Sequence, residues 1–302
     1  MTLVLFVNML ITLSSVMVSV AYFSLFERKL LGSIHMRMGP VKVGIVGLLQ
    51  PFGDAIKLGS KMIGFPNWSR GILYLFGSCM LLSVQLGCWC ILPFKFGYSS
   101  SNYSGVMLLL LLSMTVYGVL FTGWFANSKY TLLGAVRSVS LAMAFEVPQA
   151  ICLLCSFLVT QSLSLWDIVE FQQVIWMGLP LLAVGTLFVC CVIAESGRSP
   201  FDIGESESEL VSGYTTEYGG MVYTMVFLSE NLAVLLGCVL IGFMYLGGFG
   251  LHKVTLICGL VVIVRSVVPR FRFDRILSLC WYSLVPMLIS LMCGCALLMQ
   301  WG

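Results

Sequence analysis

The sequence runs to 302 residues, of which 59% are hydrophobic and 10% charged, with a formal net charge of +3 and a mean hydropathy of +1.02. Soluble domains carry charge on about a quarter of their residues, so this chain has too little polar surface to be a water-soluble globule. A bilayer is the solvent that such a composition fits.

Apolar runs of about 20 residues, the length a helix needs to cross hydrocarbon, recur at roughly 2–26, 71–94, 105–126, 132–160, 174–194, 220–246, 254–269 and 276–301. Leu, Met, Phe and Ala dominate them without the alternation of a barrel strand. They predict an all-α polytopic membrane protein with about eight transmembrane helices, forming a single membrane domain over 1–302. The first run, MTLVLFVNMLITLSSVMVSVAYF, has no basic leader and no small-residue cleavage site, which predicts a retained span.

Residues 27–70 follow, with seven basic and two acidic residues, net +5. From Leu48 onward, Gln50, Asp54, Lys57 and Lys61 recur at helical spacing, while Leu48, Phe52, Ile56, Met62 and Ile63 fill the other side. This predicts an amphipathic helix lying in the membrane interface. Pro51 suits its first turn, whereas Gly53 and Gly59 weaken it in isolation, so tertiary contacts must hold it. Arg37 and Gly39-Pro40 put a fixed charge and a sharp turn just ahead of it. His35 beside Arg37 could donate to a ligand carbonyl or be an ordinary interfacial histidine.

In the fourth run, Glu146 lies nine residues after Arg137 within AVRSVSLAMAFEVPQAICLL. A carboxylate inside an apolar helix is costly and marks a functional candidate, with proton handling its natural use. The alternative is a structural hydrogen bond to a neighbouring span. Glu230 in the sixth run carries the same argument.

Between those spans, residues 195–230 hold one basic and seven acidic residues, net −6. Pro200 breaks the helix after Glu195. DIGESESE lacks the residue order and closing Glu of an EF-hand calcium loop. Phe201, Leu210, Val211, Tyr214 and Tyr218 make the stretch too apolar for a disordered acidic tail. An ordered acidic loop is therefore expected. Residues 265–275, with four basic and one acidic residue (net +3), complement it, as does the first basic segment. Folded together at a low-dielectric boundary, these carboxylates and guanidinium groups would pair in a partly buried network.

Placing the segments after the first, third, fifth and seventh runs on one side puts 14 of the 16 basic and 11 of the 13 acidic residues there. Lys95, Lys253, Asp167 and Glu170 are the exceptions. The positive-inside rule makes this the cytoplasmic or matrix face. The 12 cysteines lie almost wholly within apolar runs and read as small buried residues. Cys152 and Cys155 form a C-x-x-C, but no second pair and no nearby His completes a metal site. No dinucleotide, P-loop or zinc-protease motif is present, so any electron-transfer centre is expected in a partner.

ERKLLGSIHMRMGPVKVGIVGLLQPFGDAIKLGSK, AESGRSPFDIGESESELVSGYTTEY and VRSVVPRFRFDRILSLCW resemble the three inner-face motifs of the chain 1 family of proton-pumping NADH:ubiquinone oxidoreductase, respiratory complex I. The resemblance is collinear, spans nearly the whole chain and includes the intramembrane FEVP. It implies a membrane-arm subunit at the joint with the hydrophilic arm, with segments 27–70, 195–219 and 265–275 forming a quinone-tunnel and charged-network region. Ubiquinone would be the substrate, entering between the first span, the interfacial helix and the sixth span. Flavin and iron–sulfur clusters would sit in partner subunits.

Carried over residue by residue, Glu146, Glu195, Asp202, Glu205, Glu207, Glu209 and Glu230 would serve proton coupling. Arg28, Arg37, Leu48, Phe52, Asp54, Lys57, Arg198, Glu217, Arg265, Arg270 and Asp274 would form the tunnel and its supporting charges, with Glu27 also on a charged family position. The resemblance implies as partners the quinone-reducing module, the rest of the membrane arm, ubiquinone and lipid, and no nucleic acid. It also implies no metal site in this chain. The Cys- and Phe-rich composition leans toward the mitochondrial inner membrane over a bacterial membrane.

The chain departs from the family pattern at Val41, His35, Met62, ESGRSPFD and GESESE; of these only Met62 removes a charged position. A quinone redox change that altered pairing with Arg28, Arg37, Arg270 and Arg272 would change proton occupancy on the acidic loop and Glu146. The rival reading, a self-contained cation/proton antiporter, predicts inverted repeats that this sequence lacks. A purely structural scaffold is the other alternative.

Overall fold

The computed structural model describes residues 2–62, 64–66, 69, 71–94, 101–173, 175–202, 213–248 and 250–301. Glu205, Glu207, Glu209, Leu210 and Val211 of the acidic loop lie outside the described residues, as do Ile63, Arg70 and Lys95. Every predicted apolar run contains a helix. The elements are α1 Thr2–Ile34, α2 Gln50–Gly59, α3 Gly71–Ile91, α4 Ser104–Phe125, α5 Lys129–Thr160, α6 Leu165–Phe171, α7 Leu182–Glu195, α8 Gly220–Tyr245 and α9 Leu251–Val267. The last span joins α10 (Phe273–Ser278), a π-helical turn (Leu279–Leu284) and α11 (Val285–Trp301).

Six of the eight predicted spans are long and apolar enough to cross a membrane. The other two are shorter helices: α7 has 14 residues and α9 has 17. At 1.5 Å per residue they reach about 21 and about 26 Å, short of a hydrocarbon core of about 30 Å. The fifth run starts late because the residues before α7 turn instead, and the Gly178 amide donates to the Tyr245 carbonyl at the end of α8 at 2.9 Å.

Helix α8 is the hub. Of its apolar window 78% is buried, against 22% for α1 and 17% for the last span, and it packs on α1, α2, α3, α6, α7 and α9. Small residues permit this: a Cβ on Gly237 would overlap the Val192 side chain of α7. Between helices in lipid, close packing of this kind replaces the hydrophobic driving force. A second apolar cluster joins Ile276, Cys280 and Leu284 of the last span to Ala144 and Phe145 of α5 and Cys191 and Ala194 of α7.

The predicted interfacial helix is α2, shorter at each end than the 48–63 pattern, with Pro51 in its first turn. Pro51 is buried and Asp54 and Leu58 half-buried. Leu48, Phe52 and Ile56 are 49%, 45% and 73% exposed, so the apolar stripe faces away from the bundle. Helix α2 touches both α1 and α8, and Phe52 meets Tyr22 of α1 edge-on at 6.1 Å.

Candidate functional site

Three helices each bring one carboxylate to a common cavity of about 110 Å³: Glu146 from α5, Glu195 from the end of α7 and Glu230 from α8. A second cavity, of about 290 Å³, meets the first at Glu146 and is lined by Gln149, Ser113 and apolar residues of α4. Past Glu195 the chain reverses at Gly197, whose φ of +61° is a conformation that glycine adopts without cost. That reversal puts Arg198 into the cavity wall.

Tyr214 closes the cavity from the short turn Gly213–Thr215. The turn can lie on α5 because Gly134 has no side chain: a Cβ there would be 2.7 Å from the Gly213 carbonyl carbon and the Tyr214 nitrogen. The Tyr214 hydroxyl donates to Glu230 Oε1. Arg198 lies 3.9 Å from Glu230 Oε2 and donates to Asn231 Oδ1 at 2.9 Å. Glu230 is thus held between a phenol and a guanidinium. Glu195 faces the Gln149 side chain and has Glu146 as its like-charged neighbour.

Among the described residues, Gln85 Oε1, Gln149 Oε1 and Asn231 Nδ2 are buried polar atoms without a protein partner. Buried polar atoms are nearly always bonded to protein or water. Gln85 lines the first cavity and Gln149 the second, and both cavities exceed the minimum of roughly 15 Å³ for one water. The site therefore has the size and lining to hold a short chain of water between carboxylates. Neighbouring carboxylates of this kind exchange protons as a coupled set, not singly.

Around the cavity the inner-face segments are tied by ion pairs. Arg265 of α9 donates to Glu27 of α1, Arg28 pairs with Asp54 of α2 at 2.8 Å, and Arg270 pairs with Asp202 at 3.4 Å. The 265–275 segment docks further through Phe271, whose amide donates to the Pro200 carbonyl at 3.1 Å and whose ring lies 6.0 Å from Phe201. After the acidic loop, Tyr74 stacks on Tyr218 at 4.3 Å. Tyr74 donates to the Glu217 carbonyl and Tyr218 to the Thr122 carbonyl.

The structure thus gathers Glu146, Glu195, Arg198 and Glu230 in one cavity wall and sets Asp202 just beyond it with Arg270. Arg28 pairs with Asp54, which is near because α2 packs directly on α1; its expected partnership with the acidic loop falls on Glu205, Glu207 and Glu209, which lie outside the described residues. Arg272 pairs with Asp274 in an exposed local contact at 3.1 Å. Arg37 is exposed and makes no ion pair among the described residues. Leu48, Phe52, Asp54 and Lys57 lie on α2 or just before it, outside the cavity lining. Glu217 contributes its backbone carbonyl and leaves its side chain exposed.

Sequence reasoning missed Tyr214, Asn231, Gln149 and Gln85 as site residues. The available signals are Asn231 directly after Glu230, and Gln149 on the turn after Glu146.

The NADH dehydrogenase family pattern matches residues 7–296. NADH-ubiquinone oxidoreductase chain 1 of Locusta migratoria is 37% identical, covering 94% of this chain and 92% of the relative. The protein of the same name from Candida albicans is 36% identical over the same shares. A bacterial relative, an NADH-quinone oxidoreductase subunit of Magnetococcus marinus, is 33% identical, over 93% of this chain and 87% of its own. With a match this long and this even, the chain belongs to the NADH dehydrogenase family, alongside chain 1 of NADH-ubiquinone oxidoreductase and its bacterial counterpart in NADH-quinone oxidoreductase.

Proposed function

We propose that this chain forms the ubiquinone entry route at the joint between the membrane and hydrophilic arms of respiratory complex I. In the same reading, Glu146, Glu195 and Glu230 begin the charged path that couples quinone reduction to proton pumping. Membership of the family makes the chain a subunit of an NADH:quinone oxidoreductase and a multi-pass membrane protein. The mitochondrial inner membrane is the favoured location, a composition with 12 Cys and 20 Phe supporting it.

The observation that carries the coupling role is the convergence of three carboxylates from three helices on one cavity, flanked by Arg198 and Tyr214. A single structural carboxylate needs one partner; three around a shared space suit proton exchange. The entry role is supported by the meeting of α1, α2 and α8, with the apolar face of Leu48, Phe52 and Ile56 turned outward. Lipid-soluble quinone would approach that face, with Arg28, Arg37 and Lys57 nearby. Asp202, Glu205, Glu207, Glu209 and Glu217, with Arg265, Arg270 and Asp274, extend the network toward the hydrophilic arm. Flavin and iron–sulfur chemistry belongs to partner subunits in this reading.

The test is NADH:quinone turnover together with proton pumping in membranes carrying Glu146→Gln, after native gels show an assembled complex. Lost pumping in an assembled complex is the expected result. Normal turnover and normal pumping would overturn the coupling role.

A further inference from the structure

Helix α5 carries Pro148 in its interior, two residues beyond Glu146. Proline has no N–H, so the carbonyl four residues back, that of Ala144, loses its helical donor. An unmet carbonyl inside hydrocarbon is costly. The donor that meets it comes from another span: the Cys280 thiol lies 3.0 Å from the Ala144 oxygen, and both are buried.

Cys280 sits on the π-helical turn Leu279–Leu284, where the Val285 amide bonds the Cys280 carbonyl. A π turn adds a residue to the helical circuit and re-aims the side chains on it. Its buried side packs with Phe145 and Ala194, the residues immediately before Glu146 and Glu195. The last span therefore braces both carboxylate-bearing turns, and the Cys280 thiol is aimed at the gap that Pro148 opens.

We propose that Cys280 is a positioning residue for Glu146, its thiol standing in for the backbone donor that Pro148 removes from α5. The inference rests on the coupling role assigned to Glu146 above. A thiol fits here because it is apolar enough for a packed membrane interface and still donates one hydrogen bond.

The experiment uses the assembled complex, confirmed on native gels, and measures quinone-reductase rate and protons pumped per NADH oxidised. Cys280→Ala is expected to lower pumping roughly threefold, the scale of one interhelical polar contact in a bilayer. Cys280→Ser, which keeps a donor, is expected to restore it. Pro148→Ala returns an N–H to α5, so in that background Cys280→Ala is expected to cost nothing further. Wild-type pumping by Cys280→Ala, no rescue by Ser, or an equal loss in both backgrounds would overturn the positioning role. Normal pumping by Glu146→Gln would instead overturn the coupling role itself, so the two failures are told apart.

Discussion

The phenol of Tyr214 donates a hydrogen bond to Glu230 Oε1, while Arg198 stands 3.9 Å from the other oxygen of the same carboxylate. One side chain from the end of the acidic loop and one from its start thus hold an intramembrane acid between them. Any movement of that loop must change the field at Glu230. Tyr214→Phe keeps the ring and removes the donor. Leaving a buried acceptor unmet costs about 1–3 kcal/mol, so coupled turnover should fall about twofold to tenfold if half of that cost reaches the proton-transfer step. Assembly should survive; pumping assays on gel-verified complex check both points.

Two glycines offer opposite outcomes from one substitution. A Cβ on Gly134 would meet the backbone of Gly213 and Tyr214 at 2.7 Å, and backbone cannot step aside as a flexible side chain can. Gly134→Ala should destabilise by about 1–3 kcal/mol, as overpacking does, and displace Tyr214 from Glu230. On α2, Gly53 has open space around its Cβ direction. Gly53→Ala should stabilise that helix by up to about 1 kcal/mol through propensity alone. Thermal dissociation of the complex, followed on native gels, should shift down for the first and not for the second.

The helical runs, α2 and the intramembrane acids are legible in the sequence because each departs strongly from its surroundings in hydropathy. Glu146 and Glu230 stand out as charges among apolar neighbours. Gln85, Gln149 and Asn231 do not, because a neutral amide in a membrane helix usually finds a partner and carries no charge signal. Tyr214 reads only as an apolar residue opposing disorder; its hydroxyl finds Glu230 through a turn that no periodicity predicts. Charge counting supplies the sign of each inner-face segment and anticipates the Arg270–Asp202 pair, but not the Arg28–Asp54 pair. Arg28 finds Asp54 because α2 packs on α1, a fact of tertiary geometry. The length of α7 is hidden for the same reason, since hydropathy sees residues 175–181 as apolar without seeing that they turn against the end of α8.

The Arg28–Asp54 pair ties α2 to α1, and Gln50 donates to the other oxygen of Asp54 at 2.9 Å. Both ions are partly exposed, at 48% and 33%, so the pair contributes about 0.2–1 kcal/mol. Asp54→Asn should loosen the entry helix without touching the cavity. The expected result is a KM for a short-chain quinone raised about twofold to fivefold, with kcat unchanged. A fall in kcat at constant KM would place Asp54 in the coupling path instead.

Tyr218 anchors the segment after the acidic loop, its hydroxyl donating to the Thr122 carbonyl at 2.8 Å and its ring stacking on Tyr74. Burial pushes the Tyr218 phenol up, with Tyr74 adding to the effect. A phenol freed from the structure ionises near pH 10, while the buried one keeps its proton to higher pH. The released state therefore binds fewer protons over that window, and the anchor weakens as pH rises. Its stabilisation is fully present below about pH 10 and is lost progressively between there and the raised value in the fold. Hydrogen exchange across residues 213–219 should accelerate on that alkaline limb more steeply than base catalysis alone requires. Tyr218→Phe should exchange faster at neutral pH, having lost the bond to Thr122, and should show a smaller extra alkaline rise.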